Sequence, residues 1–273
     1  MTVEVFFDLL IEELKINENL KGYYRFLNNP KLYNFRKAYF CQRLQYVIDN
    51  IPKNKNINVF DIGCGYGTTA IFLAINGYKV AGSTLEYYFE QINTRLKYWS
   101  AYGEMSNIEL RYENLFDNPL TKNNYDVVIT MDVLHHLEPL NEALNIISNS
   151  LKPSGILIAC EENGNNIINT SRLFVKRGNK RIIEFYDETL RKNIKMGNEN
   201  IRSLKKWENE LLRTALLINN SSVKYIRYYF PTKYKNLTID SVISKEQKLW
   251  KSNNFLREYF FHGLNFVASN SIV

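Results

Sequence analysis

The sequence predicts an α/β protein built on a doubly wound, mostly parallel sheet, and three observations lead to this prediction. An apolar strand over 59–62 runs into a loop with glycine at every second position, Gly63, Gly65 and Gly67, and a helix follows at once. Apolar runs of strand length then alternate with helix-forming segments as far as Cys160. With 273 residues, 45% of them hydrophobic, the chain can bury a full core. Alternation of this kind is typical of a parallel sheet covered by helices on both faces.

The elements after the glycine loop are assigned from apolar patterning and from the residues that end helices. The first helix stops at Asn76-Gly77, and a later helix stops at Lys152-Pro153, directly before an apolar strand. The predicted order is helix 68–76, strand 78–81, helix 85–102, strand 108–112, strand 125–131, helix 140–151 and strand 156–160. In a sheet of this type, ligands bind at the carboxyl ends of the strands.

The formal net charge of +7 bears on the partners that the sequence favours. A basic balance can indicate nucleic-acid binding, but lysine is scattered along the whole chain and no segment has the pattern of an RNA-binding module. The densest basic cluster, Lys176 to Arg181 followed by Arg191, Lys192 and Lys195, suits either an anionic small molecule or ordinary solvated surface. We therefore expect a small-molecule partner and no nucleic acid.

Cysteine content and hydropathy favour a cytoplasmic protein. The three cysteines, Cys41, Cys64 and Cys160, are odd in number and lack the spacing of metal ligands, so we expect no disulfide framework. We assign no metal ligands, but metal-assisted catalysis stays open, with Asp132, His135 and His136 as the cluster that suggests it. The start of the chain is short, amphipathic and partly acidic, unlike a signal peptide. No run is long and apolar enough for a membrane span, and no membrane partner is expected. A homodimer is compatible with the sequence.

The spacing of the glycines distinguishes between nucleotide cofactors. A dinucleotide-binding loop has the form G-x-G-x-x-G, whereas here the third glycine is Gly67 and position 68 is threonine. The string D-x-G-x-G-x-G, which begins at Asp61, resembles motif I of the class I S-adenosylmethionine-dependent methyltransferases. Further matches follow in the order of that family, at Gly82-Ser83-Thr84, Glu113-Asn114, Tyr125-Asp126-Val127-Val128 with Val133-Leu134-His135-His136-Leu137, and Leu151-Lys152-Pro153-Ser154-Gly155. By this resemblance, which spans 55–163, the chain is identified as a member of the small-molecule type of that family.

The resemblance implies a Rossmann-like, doubly wound, mostly parallel seven-stranded sheet with an antiparallel last strand, plus a helical cap. The closing strands are expected over 223–230 and 264–268, the second of them antiparallel, with an excursion near the substrate between them. Four regions make up this one structural domain: a helical cap at 1–50, the cofactor-binding core at 51–162, a substrate-side insertion at 163–220, and the closing strands with the excursion at 221–273.

The resemblance also implies S-adenosylmethionine as the cofactor, with S-adenosylhomocysteine as its product. Asp61 would order the glycine loop or hold the amino group of the cofactor. Thr84 stands where most members carry a carboxylate for the ribose hydroxyls, and Glu86 either supplies that carboxylate or is a solvated residue of the next helix. The other expected contacts are Gly63, Cys64, Gly65 and Gly67 in the loop, Leu85 after Thr84, Glu113, Asn114 and Leu115 near the adenine, and Met131 at the end of strand four.

Methyl transfer is an in-line displacement at carbon, so catalysis depends on holding the acceptor against the methyl group, and an oxygen acceptor can also need a base. The catalytic candidates are Asp132, His135 and His136, at the position where the family places residues that face the methyl group. His136 is the preferred base because it corresponds to the histidine most often found in family members, although paired histidines also serve as packing residues at a helix start. Glu161 and Glu162 are expected at the mouth of the cleft.

The absence of three sequence motifs narrows the class of methyl acceptor. The chain lacks the Asp/Asn-Pro-Pro-aromatic string of amino-methylation in nucleic acid, the Pro-Cys nucleophile of cytosine-carbon methylation and the paired-Glu loop of arginine methylation. The expected reaction is O-methylation of a small polar metabolite, namely a sugar, a sugar nucleotide or a related anionic compound. Two alternatives stay open: a cofactor-binding protein or partner subunit without turnover, and an RNA-modifying methyltransferase.

Overall fold

The computed structural model describes residues 1–85 and 87–270. Its strands are β1 (Asn58–Ile62), β2 (Lys79–Thr84), β3 (Ile108–Tyr112), β4 (Tyr125–Met131), β5 (Leu151–Glu162), β6 (Ile182–Asp187), β7 (Lys192–Gly197), β8 (Leu216–Ile218), β9 (Lys224–Ile226) and β10 (Gly263–Asn270). Its α-helices are α1 (Val3–Ile16), α2 (Glu18–Tyr24), α3 (Tyr33–Asn50), α4 (Thr68–Ile75), α5 (Gln91–Trp99), α6 (Leu140–Ser150), α7 (Ile167–Arg177), α8 (Leu204–Leu212), α9 (Lys233–Asn236), α10 (Ile239–Ser252) and α11 (Asn254–Phe260).

Within these described residues, eight strands form one sheet in the order β3-β2-β1-β4-β5-β10-β8, with β9 also paired to β10. The pairs among β1 to β5 are parallel, and β10 runs antiparallel to β5. This confirms the predicted fold class, a doubly wound and mostly parallel sheet with an antiparallel strand near its end. The carboxyl ends of β1, β2, β3, β4 and β5 therefore meet at one edge, as ligand binding in such sheets requires.

The sheet differs from the predicted seven strands at its closing edge. Only β9 falls within the strand expected over 223–230, and β8 is an additional strand; each pairs with a different part of β10. Left-handed backbone at Ala215 (φ 60°) precedes β8, and left-handed backbone at Arg227 (φ 61°) ends β9. Three residues are too few to show a period-two pattern, which is why β8 was not predicted.

Two other elements differ from the sequence-based expectation. The expected helix over 85–102 is a short 3-10 helix, Tyr87–Glu90, followed by α5. The insertion at 163–220 contains the antiparallel hairpin β6–β7 as well as the expected packed helix, α8. The excursion at 236–259 consists largely of α10 and α11, and α10 packs on α3 through Ala38, Tyr234 and Val242 rather than near the glycine loop.

The helical cap is joined to the core by buried aromatic contacts and by one buried ion pair. Phe6 of α1 packs against Phe72 and Trp99, with ring centroids 5.0 and 4.7 Å away. Glu13 accepts hydrogen bonds from Arg95 Nε (2.8 Å) and Nη2 (2.7 Å), and both side chains are buried. None of the described helices is long and apolar enough to cross a membrane.

Candidate active site

The glycine loop between β1 and α4 forms the floor of the site. Gly63, Gly65 and Gly67 all have positive φ, at 66°, 53° and 73°. A Cβ on Gly63 would lie 2.4 Å from a methyl carbon of Val133, so this position requires glycine for packing. A Cβ on Gly65 would meet only the Tyr23 hydroxyl, at 3.9 Å, because Gly65 faces open space. The loop thus exposes its backbone to a cavity, as a nucleotide cofactor requires.

Asp61, at the end of β1, is a buried carboxylate beside this loop. Its Oδ2 atom has no hydrogen-bond partner among the residues that the structure describes. Burial raises the pKa of Asp61 to about 7. A buried carboxylate without a cation or donor is costly, and an ammonium or sulfonium group would relieve that cost. The chemistry of Asp61 therefore fits a cationic ligand such as S-adenosylmethionine.

A cavity of about 1100 Å³ extends from the glycine loop across the carboxyl ends of β2, β3 and β4. Most of the predicted cofactor residues line it: Gly63, Gly65, Thr84, Leu85, Glu113, Asn114, Leu115 and Met131. Thr84 and Asn114 are buried, and the backbone of Glu113 donates to the Thr84 carbonyl at 3.2 Å. Glu86 lies outside the described residues, so the choice between its two roles remains a prediction.

The hairpin β6–β7 lines the opposite side of this cavity, through residues that include Phe185, Tyr186 and Met196. Two contacts fasten the hairpin over the ends of β3: the Tyr112 hydroxyl donates to Asp187 at 2.7 Å, and Lys192 forms an ion pair with Asp117. The sequence did not predict this hairpin, because basic residues surround it and leave no clear apolar alternation. Lys195 of the basic cluster is exposed and lines the cavity. Three other members of the cluster do not line it: Lys176, Arg177 and Arg181.

The loop after β4, residues 132–137, is held by Glu161. Its Oε1 atom accepts from the backbone N–H groups of Val133 (3.1 Å) and Leu134 (2.9 Å), and its Oε2 atom lies 2.5 Å from His135 Nδ1. Glu161 is fully buried, so the expectation that it stands at the cleft mouth is wrong. A carboxylate buried this deeply persists because three donors satisfy it, and its role is to fix the loop.

Glu162 lines neither the large cavity nor a second, smaller cavity between the glycine loop and α3. It accepts from Asn169 Nδ2 at 2.5 Å and lies 3.2 Å from His262 Nε2. Among the described residues that line either cavity, Glu162 does not occur. The expectation of a cleft-mouth carboxylate is therefore wrong for Glu162 as well.

The two neighbouring histidines have different surroundings. Burial acts to lower the pKa of His135, but the Glu161 carboxylate outweighs it and raises that pKa to about 9. His135 is therefore cationic at neutral pH and buried away from the cavity. His136 lines the large cavity, and its Nδ1 lies 2.9 Å from the Gly197 carbonyl oxygen. Because a carbonyl only accepts, Nδ1 must carry the proton, which leaves Nε2 as the basic nitrogen of neutral His136.

One group of described side chains has the spacing of a metal site: ligand atoms of His135, His136 and Glu199 lie within 4.8 Å of one another. The sequence did not predict this grouping, because Glu199 lies in the insertion. A metal ion bound here would take the place of the proton on His135 Nε2, which lies 3.7 Å from Glu199, and would leave the contact of Nδ1 with Glu161 in place.

Asp132 has left-handed backbone (φ 56°) and joins two cavities. Its Oδ2 atom pairs with Arg43 Nη1 at 2.5 Å, whereas its Oδ1 atom is buried without a partner among the described residues.

The second cavity, of about 330 Å³, lies between the glycine loop and α3 and is also lined by Asp61 and Cys64. Burial raises the pKa of the Cys64 thiol well above its usual value, which argues against a nucleophilic cysteine.

Three arginines that the sequence did not single out line this second cavity, Arg36, Arg43 and Arg227. Arg36 and Arg43 are seven residues apart on α3, so helical spacing alone places them on one face. Arg227 follows a three-residue strand, and no local pattern marks it.

A Rossmann-like sheet with a glycine-lined cavity at its carboxyl edge defines a protein that binds a nucleotide cofactor. A family model described as a methyltransferase domain matches residues 33–213, about two thirds of the chain. The chain therefore belongs to the methyltransferase-domain family, which confirms the resemblance to class I methyltransferases and S-adenosylmethionine as the predicted cofactor.

Similar proteins include ubiquinone biosynthesis O-methyltransferases from Rickettsia canadensis (strain McKiel), 28% identical, and Rickettsia bellii (strain OSU 85-389), 31% identical, both over 121 residues. Each match covers 42% of this chain and 49% or 48% of the relative, so the chain spans about half the length of the curated relatives it matches. Geranyl diphosphate C-methyltransferase from Streptomyces coelicolor A3(2), solved with Mg²⁺, geranyl diphosphate and S-adenosylhomocysteine, has a TM-score of 0.59 at 16% identity. That likeness covers 88% of this chain and 85% of the other, and it shows the fold.

Proposed function

We propose that this chain is an S-adenosylmethionine-dependent methyltransferase that methylates an oxygen atom of a small acceptor. The observation that carries the proposal is Asp61, a buried carboxylate whose Oδ2 atom has no hydrogen-bond partner among the described residues, beside a glycine loop that opens onto a large cavity. S-adenosylmethionine carries positive charge at its sulfur and its amino group, which such a carboxylate stabilises. NAD has neither an ammonium nor a sulfonium group, since its one cationic centre is the aromatic nicotinamide ring.

The lining of the two cavities supports one orientation of the cofactor. Glu113 and Asn114 offer acceptors for an adenine amino group, at the end of the site farthest from α3. Asp61 and the glycine loop suit the methionine end. Between them, Met131 and Asp132 line both cavities, so the reacting centre belongs where the cavities meet. When bound, the cofactor supplies an electrophilic methyl group.

His136 is the proposed base for the acceptor hydroxyl. Its Nδ1–H is fixed by the Gly197 carbonyl, so Nε2 can take a proton from an acceptor in the large cavity. Asp132 is proposed to position the acceptor, because its buried Oδ1 atom can accept a hydrogen bond from a hydroxyl group. His135 is proposed to hold the loop rather than to react, since it is paired with Glu161.

The proposed acceptor is a small polar compound, in the class of sugars, sugar nucleotides and related anionic metabolites. The exposed Lys195 in the large cavity supports an anionic group, since it forms no ion pair with any described residue. The names of the Rickettsia relatives, which are O-methyltransferases, support an oxygen acceptor.

The test is a turnover assay that measures S-adenosylhomocysteine released from S-adenosylmethionine. Sugar phosphates, sugar nucleotides and hydroxybenzoates are screened beside total RNA. We expect turnover with at least one small hydroxy compound, and we expect His136→Gln to lower kcat by about 10²- to 10⁴-fold. The dissociation constant of S-adenosylhomocysteine should stay the same in this variant. Methylation of RNA alone, or full activity of His136→Gln, would contradict the proposal.

A further inference from the structure

The smaller cavity contains more cationic groups than its carboxylates balance. Of its arginines, Arg43 is neutralised by Asp132 at 2.5 Å and also donates to the Cys160 carbonyl at 3.4 Å. Arg36 donates to the Arg25 carbonyl oxygen. The third arginine, Arg227, forms neither an ion pair nor a side-chain hydrogen bond with any residue that the structure describes.

Arg227 is held in place by aromatic rings and by its backbone. Its guanidinium carbon lies 4.1 Å from the ring centroid of Tyr39 and 5.2 Å from that of Phe35. Its carbonyl accepts from His262 N at 3.0 Å, which ties it to the start of β10. Burial lowers the pKa of Arg227, whose half-buried guanidinium forms no ion pair with a described residue. A cation in this state favours an anionic ligand.

The carboxylates near Arg227 already have other partners. Asp132 is paired with Arg43, and Glu162 lies against His262 and Asn169. Glu162 and Asp132 still act to raise the pKa of Arg227, but among the residues that the structure describes neither forms an ion pair with it, and neither does Asp61, the other carboxylate that lines this cavity.

Tyr39 offers a second group for the same ligand. Its hydroxyl is buried and has no partner among the described residues, although it lines the smaller cavity beside Arg227. A phenol hydroxyl can donate to an oxygen of an anion that the guanidinium fork already holds. Opposite them, the unpartnered Oδ1 atom of Asp132 can accept from a neutral hydroxyl.

We propose that Arg227 and Tyr39 form an anion site, and that this site binds a carboxylate or phosphate of the acceptor while the reacting hydroxyl lies at Asp132. This inference rests on the proposed methyltransferase function, and it adds that the acceptor carries an anionic group on the α3 side of the methyl group. A cavity of about 330 Å³ is at the small end of ligand sites, so the anionic part is compact.

The alternative role for Arg227 is to hold the carboxylate of the cofactor itself. The two roles differ in what the substitution Arg227→Gln should change. An acceptor site leaves the dissociation constant of S-adenosylhomocysteine within about twofold of the wild-type value, whereas loss of a charge-assisted contact to the cofactor would weaken it about tenfold or more.

The test uses protein saturated with S-adenosylhomocysteine, so that any site for the cofactor carboxylate is filled. Inorganic phosphate and benzoate are then titrated separately, and the melting temperature is followed. We expect at least one anion to raise the melting temperature of the wild type by mass action, and we expect Arg227→Gln to abolish that rise. Arg213→Gln, which removes the charge of an exposed residue directly after α8, should keep this rise in melting temperature.

Two further variants keep the result decisive if Arg227→Gln does not fold. Arg227→Lys retains the charge without the fork, and Tyr39→Phe retains the ring without the hydroxyl; each should reduce the anion-dependent rise and leave S-adenosylhomocysteine binding unchanged. A response to phosphate alone or to benzoate alone identifies which anionic group the site takes. If an anion raised the melting temperature of the wild type and of the variants equally, the anion site would be overturned. Tenfold weaker S-adenosylhomocysteine binding in Arg227→Gln would overturn it as well. Failure of the wild type to bind S-adenosylhomocysteine would instead overturn the proposed function.

Discussion

At the scale of single residues, the burial of the Asp61 carboxylate lowers the stability of the free protein but provides a negative charge for the ligand. Its pKa of about 7 in the folded protein lies above the ordinary value of 3.8, because burial disfavours the charged form. The unfolded chain therefore loses this proton at lower pH than the folded chain does. Stability from this group is present below about pH 4, is lost as the pH rises to about 7, and stays lost above that value.

The variant Asp61→Asn tests this account. We expect it to raise the melting temperature of the free protein at pH 8, since it removes a buried charge, and to weaken S-adenosylhomocysteine binding about tenfold or more. In the wild type, affinity should fall as the pH drops below about 7, because protonation removes the partner of the ligand ammonium group. Calorimetric titrations at pH 6, 7 and 8 measure this dependence.

The matched control is Asp240→Asn, an exposed aspartate in the first turn of α10. It should leave the affinity, its pH dependence and the melting temperature close to wild type. An unchanged affinity in Asp61→Asn at pH 8 would show that Asp61 does not contact the cation.

At the scale of secondary-structure elements, the ion pair Glu13–Arg95 links the cap to the cofactor loop. Arg95 also donates from Nη1 to the Tyr66 carbonyl and to Thr68 Oγ1, both at 2.7 Å, and Trp99 Nε1 donates to Glu13 at 2.8 Å. Helix α1, helix α5 and the end of the glycine loop are thus joined by one buried network. Such a network is costly to break, because removal of one charge leaves the other buried and unpaired.

We expect Glu13→Gln to lower the free energy of unfolding by about 3–5 kcal/mol, as for other broken buried pairs. The neighbouring Glu12→Gln breaks only an exposed pair with Lys15, 2.6 Å away on the same helix, and should cost less than about 1 kcal/mol. Urea denaturation of the two variants measures the difference. Similar losses of stability in both would refute the role of the network.

At the scale of the whole molecule, the sequence predicted the parts whose signals are local. The glycine loop, the order of β1 to β5 and the antiparallel β10 each follow from patterns within about 10 residues or from the family order. The side chains that complete the site come from distant positions: Glu13 meets Arg95 across 82 residues, and Arg43 meets Asp132 across 89. No periodicity encodes such pairs. The prediction that Glu161 stands at the cleft mouth is wrong for the same reason, since its three donors lie in the loop after β4.

The central claim is that the glycine loop and Asp61 bind S-adenosylmethionine or its product. The most direct measurement is a calorimetric titration of the wild type and Gly65→Arg with S-adenosylhomocysteine, with NAD as the comparison ligand. Gly77→Arg is the matched control, because Gly77 also has positive φ (86°) and its Cβ would likewise meet its first neighbour at 3.9 Å, but it lies at the far end of α4. We expect micromolar binding of S-adenosylhomocysteine that is lost in Gly65→Arg and kept in Gly77→Arg. Binding of NAD without S-adenosylhomocysteine, or equal binding by both variants, would contradict the central claim.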